Sequence, residues 1–323
     1  MSLEENLELS IKTIDDLLRC VNLASLLELS GWPKPGNIHR TKDFKETRFE
    51  HFLAGISAIQ PNFRDLCEST YKIYKNETNN SRFVKLGEFF EEASMNMMRW
   101  QKGGNVLLGH ILILAPLAAA ASICLSTKNI NFSDFKSNCI KVIDNASVDD
   151  TIRLYNAIRI SNPGGLGRID NYDIYDDKSI KRIQKDEINL KKIFELSKDY
   201  DSISLEYSTG FNIILNEGFN YYREIYKKYN DINIATVNTY FKILSIYPDT
   251  LIIRKSGVEA AQMVSNKANE ILEIGGISTE KGIKLSHDLD DFLQEKNGKL
   301  NPGTTADIIA GIIFCSLIFG LKF

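Results

Sequence analysis

The sequence predicts an all-α fold: one multi-helix globular domain over residues 1–323, with buried central helices. Three observations lead there. Apolar residues recur at i, i+3 and i+4, the spacing of one helix face. The alternation that a half-buried strand needs is almost absent. The seven prolines fall at helix boundaries, with Pro116 the exception. No repeat or low-complexity linker divides the chain, so one domain of roughly ten or more helices is expected.

The elements follow in order. Ser2 and Glu5 have capping-box spacing, and Leu17, Leu18, Val21 and Leu27 continue at near-helical intervals. Trp32 to Arg40 then interrupts the helical pattern. Pro33 and Pro35 bar a helix there, and Gly36 and Asn37 accept positive φ, which suits a tight turn. Phe49, Phe52, Leu53, Ile56 and Ile59 form the next stripe, stopped by Pro61. Phe83, Leu86, Phe90, Ala93 and Met97 form another.

Val106 to Leu125 is nearly all apolar and long enough to span a bilayer. It also carries His110, Pro116 and small residues from Ala118 to Ser122, so a buried central helix is expected. Ser147 and Asp150 cap a helix with Ile152, Tyr155 and Ile158, which ends before Pro163-Gly164-Gly165. Asn171 to Lys192 is polar and reads as a surface excursion before a helix. Later helices are expected over 201–228, 233–245, 255–272 and from Thr305 onward, and 308–319 reads as a second core helix.

Composition narrows the function. A net charge of -3 argues against general binding to nucleic acid or an anionic membrane. Five cysteines show no paired spacing and no zinc pattern, as in a reducing compartment. The acidic start lacks an apolar signal region, so a cytoplasmic protein is expected. No HxxxH, HExxH or GxSxG occurs, which disfavours a zinc hydrolase or a serine-hydrolase elbow.

Polar clusters sit at the helix junctions. In the opening loop, Lys34, His39 and Arg40 flank the turn and suit an anion such as phosphate, or serve as solvated connector charges. Glu88, Glu91 and Glu92 share one helix face; they offer oxygens to Mg²⁺ or form a solvated acidic face. Gly103-Gly104-Asn105 leads into the apolar helix, as an anion site or a plain N-cap. Ser161 to Arg168 is glycine-rich but lacks the strand context of a phosphate-binding loop, so a C-cap and turn is favoured.

Further on, Glu206 lies in a partly apolar helix, as a base, a metal ligand or a satisfied group. Asp249-Thr250 precedes Arg254-Lys255, cations able to clamp phosphate or stay solvated. Asp307 follows Asn301-Pro302-Gly303 and enters a strongly apolar stretch. A carboxylate there needs a partner or serves the helix dipole, and it is the strongest single functional candidate.

Taken in register, Lys34-Pro35-Gly36-Asn37, Gly103-Gly104-Asn105, Glu206 with Gly210-Phe211, Asp249-Thr250 with Arg254, and Pro302-Gly303 with Ala306-Asp307 resemble the triphosphoribosyl-dephospho-CoA synthase family, in its archaeal form. The resemblance covers about residues 14 to 320. It implies an all-helical transferase acting on ATP and a nucleotide-like acceptor. A ribose hydroxyl of dephospho-CoA attacks C1 of the ATP ribose and adenine leaves. It further implies catalytic work for Asp43, Glu206 and Asp307, and substrate contacts from Lys34, His39, Arg40, Asn105, Asp249, Arg254 and Lys255. Mg²⁺ is expected on Glu88 and Glu92, and a homodimer is compatible. One departure stands out. The bacterial pattern continues Gly-x-Asn with Thr-His, whereas Val106-Leu107 stand here and His110 follows one helical turn on. A different acceptor, for example in a pterin-type pathway, or a non-catalytic nucleotide-binding protein is therefore the alternative.

Overall fold

The computed structural model describes residues 7–75 and 83–323. The Ser2–Glu5 capping box lies outside them. Helix α1 (Ile14–Ser30) is capped instead by Thr13 and Asp16, each side chain accepting the other's backbone N–H. Its inner stripe, Leu17, Val21, Ala24, Ser25 and Glu28, is buried. Helices α2 (Phe49–Ala58) and α3 (Gln60–Lys75) follow. Pro61 lies in the first turn of α3, where its missing N–H costs no helical bond, so it starts this helix as well as ending the one before. Helix α4 (Leu86–Trp100) buries Leu86, Phe90, Ala93 and Met97 but leaves Phe83 outside and exposed.

Helix α5 (Leu108–Thr127) is apolar on every side and is buried through most of its length, as an interior helix must be. It packs against α3, against α6 (Phe132–Asp144), and against the last helix. Pro116 lies inside it. A proline there frees the carbonyl four residues earlier, and the Tyr207 hydroxyl donates to that Leu112 carbonyl at 2.6 Å. Helix α7 (Val148–Ser161) carries the expected Ser147–Asp150 box, and Asp150 also accepts the Gly87 N–H at 2.7 Å, bracing α4 against α7.

The polar stretch 171–192 holds α8 (Asp177–Lys185) and leads into α9 (Leu190–Ser197). The long helix expected over 201–228 is divided. Helix α10 (Ser202–Thr209) ends at Gly210 and Phe211, both at positive φ (70° and 64°); a π-helical turn, Ile213–Gly218, then enters α11 (Phe219–Tyr229). After α12 (Ile232–Ile246), the helix expected over 255–272 is α14 (Val258–Glu273), and a separate α13 (Thr250–Ser256) precedes it across a break at Gly257, φ 90°. Helix α15 (Glu280–Gln294) follows a short 3₁₀ turn, and α16 (Gly303–Ile318) closes the core against α1, α5 and α12. Among the described residues no strand forms; two isolated bridges, Glu8–Asn131 and His39–Lys42, are the extended pairings.

Candidate active site

The loop between α1 and α2 is interior. Every residue from Pro33 to His39 is buried. The Gly36 N–H donates to Asp290 Oδ1 at 2.9 Å, and His39 Nε2 meets Asp290 Oδ2 at 3.0 Å. Tyr240 donates to the Pro35 carbonyl, the Asn37 amide to Asn301, and Gln294 to the Asn37 carbonyl. Gly36 has φ 76° and faces the Leu300 carbonyl too closely for any side chain. The loop is thus a strap tying the end of α1 to α12, α15 and the entry of α16. His39, expected to contact substrate, meets Asp290 and Thr41 in the fold. Arg40 is exposed and donates to the Ser30 carbonyl at 2.7 Å, capping α1.

Lys34 points into the molecule, not into solvent. It is fully buried, pairs with the Glu28 carboxylate, and donates to the Glu28 carbonyl at 2.7 Å. Across from it, His110 Nε2 stands 3.4 Å from Glu28 Oε2 and 3.9 Å from Asp307 Oδ1. The ring is buried, and neither nitrogen makes a well-formed hydrogen bond. Burial works to raise the Glu28 carboxyl, but Lys34 and His110 outweigh it and hold it low. Burial lowers Lys34, against the pull of Glu28 and Asp307.

Asp307 forms the outer edge of this group, with its side chain 22% exposed. Burial pushes its carboxyl up to about 7; His110 opposes this, while Glu28, Asp249 and Asp201 add to it. The carboxylate lies over Gly109 in the first turn of α5, where a Cβ would collide with it. That turn carries free N–H groups and the positive end of the helix dipole.

A second group borders the first. Buried Asp249 caps α13 through the Leu251 and Ile252 N–H groups, and its other oxygen accepts from the Thr305 N–H and hydroxyl at 2.7 and 2.8 Å. Asp249, expected to contact substrate, braces α13 against α16 through these bonds. Arg254 donates to Asp201 Oδ1 at 2.9 Å, and its Nε, buried, lacks a partner. Lys255 donates to the Gly298 carbonyl at 3.1 Å, and burial lowers its ammonium. Gly164 lies against Lys255, and Gly165, at φ 83°, lies against both Lys255 and Arg254. The glycine-rich segment is therefore a C-cap at Asn162 that carries an exposed loop onto the two cations.

Other expected site residues lie outside these two groups. Asp43 is exposed and accepts the Phe49 N–H at 2.7 Å, at the entry to α2. Glu206 is wholly buried, with its two oxygens on the Ile213 and Ile214 N–H groups at 2.8 and 2.9 Å; its carboxyl, raised to about 8 mainly by burial, caps the π-helical turn. Asn105 accepts the Leu108 N–H, as a cap of α5. Glu92 is exposed, Glu88 pairs with Lys85, and Glu91 pairs with Arg153 of α7, so the acidic face of α4 is partly spent on neighbours. Among the described residues, no group of three or more His, Cys, Asp or Glu is placed to hold a metal ion. Glu88 and Glu92 therefore do not belong to such a group.

Glu28 escaped the sequence reading. Its signal was a glutamate in register with the apolar stripe of α1, where an unpaired charge is costly. In the sequence His110 stands out only as a polar residue of the apolar helix, one turn after Val106-Leu107. Val106 and Leu107, which replace that pair, are buried against Gly55 of α2.

Comparison with known proteins places the chain in a family. Residues 14–322 match the ATP:dephospho-CoA triphosphoribosyl transferase family. A Salmonella typhimurium protein assigned as a 2-(5''-triphosphoribosyl)-3'-dephosphocoenzyme-A synthase is 28% identical over 111 residues, which is 34% of this chain and 36% of that protein. The Klebsiella pneumoniae 2-(5''-triphosphoribosyl)-3'-dephosphocoenzyme-A synthase is 24% identical over 111 residues, again 34% and 36%. The matched stretch thus spans about a third of the length of these curated relatives. A crystal structure of an Archaeoglobus fulgidus protein assigned as a triphosphoribosyl-dephospho-CoA synthase superposes with a TM-score of 0.62 at 25% identity, over 84% of this chain and 100% of that one. The family match spans nearly every helix that builds the two groups of residues, and the chain belongs to the ATP:dephospho-CoA triphosphoribosyl transferase family.

Proposed function

We propose that this chain, working as one domain, transfers the triphosphoribosyl group of ATP to a hydroxyl of dephospho-CoA and releases adenine. The observation that carries the reading is Asp307: a carboxylate at the edge of a buried charged group, titrating near neutrality, over the start of α5. A base with that pKa works at physiological pH. The acceptor oxygen bonds to C1 of the ribose as the bond from C1 to adenine breaks, and the electron pair leaves with the base. Asp307 takes the hydroxyl proton, adenine gains one from solvent, and the protons balance when Asp307 ionises again.

Arg254 and Lys255, under the Gly164-Gly165 loop, are the proposed phosphate contacts. A triphosphate would draw Arg254 from Asp201. Magnesium would arrive on the nucleotide phosphates, since it usually takes one or two carboxylates together with substrate phosphates. The dephospho-CoA reading is favoured over a different acceptor by Val106 and Leu107, which pack into the core and so need not alter substrate contacts. A cytoplasmic location fits five free cysteines and an apolar α5 that is buried within the fold.

The test is mass spectrometry of dephospho-CoA after incubation with ATP, Mg²⁺ and purified protein. The reading predicts a product heavier by one triphosphoribosyl group. Unmodified dephospho-CoA at full enzyme and ATP concentration would overturn it.

A further inference from the structure

We propose that His110 and Glu28 are positioning residues for Asp307: the imidazole Nε2, suspended between the two carboxylates, holds the Asp307 carboxyl and sets when it carries charge. The role rests on the reading of Asp307 as the base. Three observations support it. The His110 ring is 2% exposed yet neither nitrogen has a well-formed hydrogen bond, an arrangement costly enough to need a reason. Its Nε2 lies 3.4 Å from Glu28 and 3.9 Å from Asp307, close enough to close on either with a small ring rotation. Lys34 holds Glu28 from behind through both its carboxylate and its carbonyl, so the inner carboxylate is fixed. The outer carboxylate is then the one free to respond.

The arrangement follows the logic of a base oriented by a second group that is anchored by a third. It differs from a triad in that one ring nitrogen serves both carboxylates. The charged groups around Asp307 come from several elements. Glu28 comes from α1, Lys34 from the strap, His110 from α5, Asp201 from the start of α10, and Asp249 from the start of α13. His110 works toward the charged form of Asp307, and the three carboxylates work against it. Removing the ring and removing Glu28 should therefore move Asp307 in opposite directions, which a packing role alone would not do.

The experiment is titration of the Asp307 carboxyl by NMR in protein labelled with ¹³C at the aspartate carboxyl, the signal being assigned by its loss in Asp307→Asn. His110→Asn should raise the midpoint and Glu28→Gln should lower it, each by about one pH unit. His110→Asn leaves the Glu28–Lys34 pair intact, so it remains informative if Glu28→Gln fails to fold. A midpoint that His110→Asn leaves unchanged would overturn the proposal. This readout needs no turnover. Failure of adenine release with normal titration shifts would sink the transferase reading alone, and the reverse would sink the positioning role alone.

Discussion

Asp307 is the base in the proposed reaction, and it is also a costly buried carboxyl. Because burial raises its carboxyl to about 7, activity should rise with pH to a plateau, with a midpoint near 7 in the pH profile of kcat/KM. Asp307→Asn should lower adenine release by roughly 10²–10⁴-fold. The sign of the stability effect is opposite to that of activity. A carboxyl raised by folding contributes stability that is present below its ordinary range near 3.8 and is lost as pH rises through about 7. Asp307→Asn should accordingly melt higher than wild type at pH 8 and about the same at pH 4, a comparison made by thermal denaturation. Gly109→Ala tests the seating of the carboxylate: activity should fall with the fold retained by circular dichroism, because the added methyl occupies the space of Asp307. Asp307 was legible in the sequence as a charge entering an apolar helix. Glu28 was not picked out, although the same argument applies to it; a single polar residue inside an amphipathic stripe is easily read as its edge.

Helix ends, more than helix bodies, assemble the site. The start of α5 sits under Asp307, the start of α16 is braced by Asp249, and Asp201 at the start of α10 holds Arg254. Arg254→Ala should raise the KM for ATP by about tenfold or more, consistent with loss of a charged contact to phosphate. Initial-rate kinetics at saturating acceptor would measure it. Glu206 belongs to this scale too. With its oxygens on two backbone N–H groups of the π-helical turn, Glu206→Ala should destabilise by about 1–3 kcal/mol in chemical denaturation, from the donors left unpaired in the core. Its carboxyl, raised to about 8, adds a second reason for stability to decline as pH rises from the ordinary range near 4.5 through 8. Most of the core helices were readable from apolar spacing; the short α13 and the break at Gly210–Phe211 were not. Periodicity runs on through a positive-φ residue, and only tertiary packing shows that the chain turns there.

On the scale of the whole molecule, the two apolar helices α5 and α16 form a shared interior, and the strap carries the end of α1 down to it. Helix α5 is long and apolar enough to cross a bilayer, but in this fold it is mostly buried by the surrounding helices. Five motifs spread along the chain were legible as a set, while the partners of each were not, since long-range pairings such as Gly36–Asp290 and Thr305–Asp249 leave no local signal. The strap illustrates the difference. Its turn residues were read correctly, but its basic side chains face inward or cap α1 and do not form an open anion wall. The measurement that bears most directly on the central claim is adenine release from ATP, with and without dephospho-CoA, followed by chromatography. The account predicts adenine in equal amount to a triphosphoribosylated acceptor, and none from the Asp307→Asn variant beyond a small residue. Release of ADP or AMP in place of adenine, or adenine formed equally well by Asp307→Asn, would contradict it.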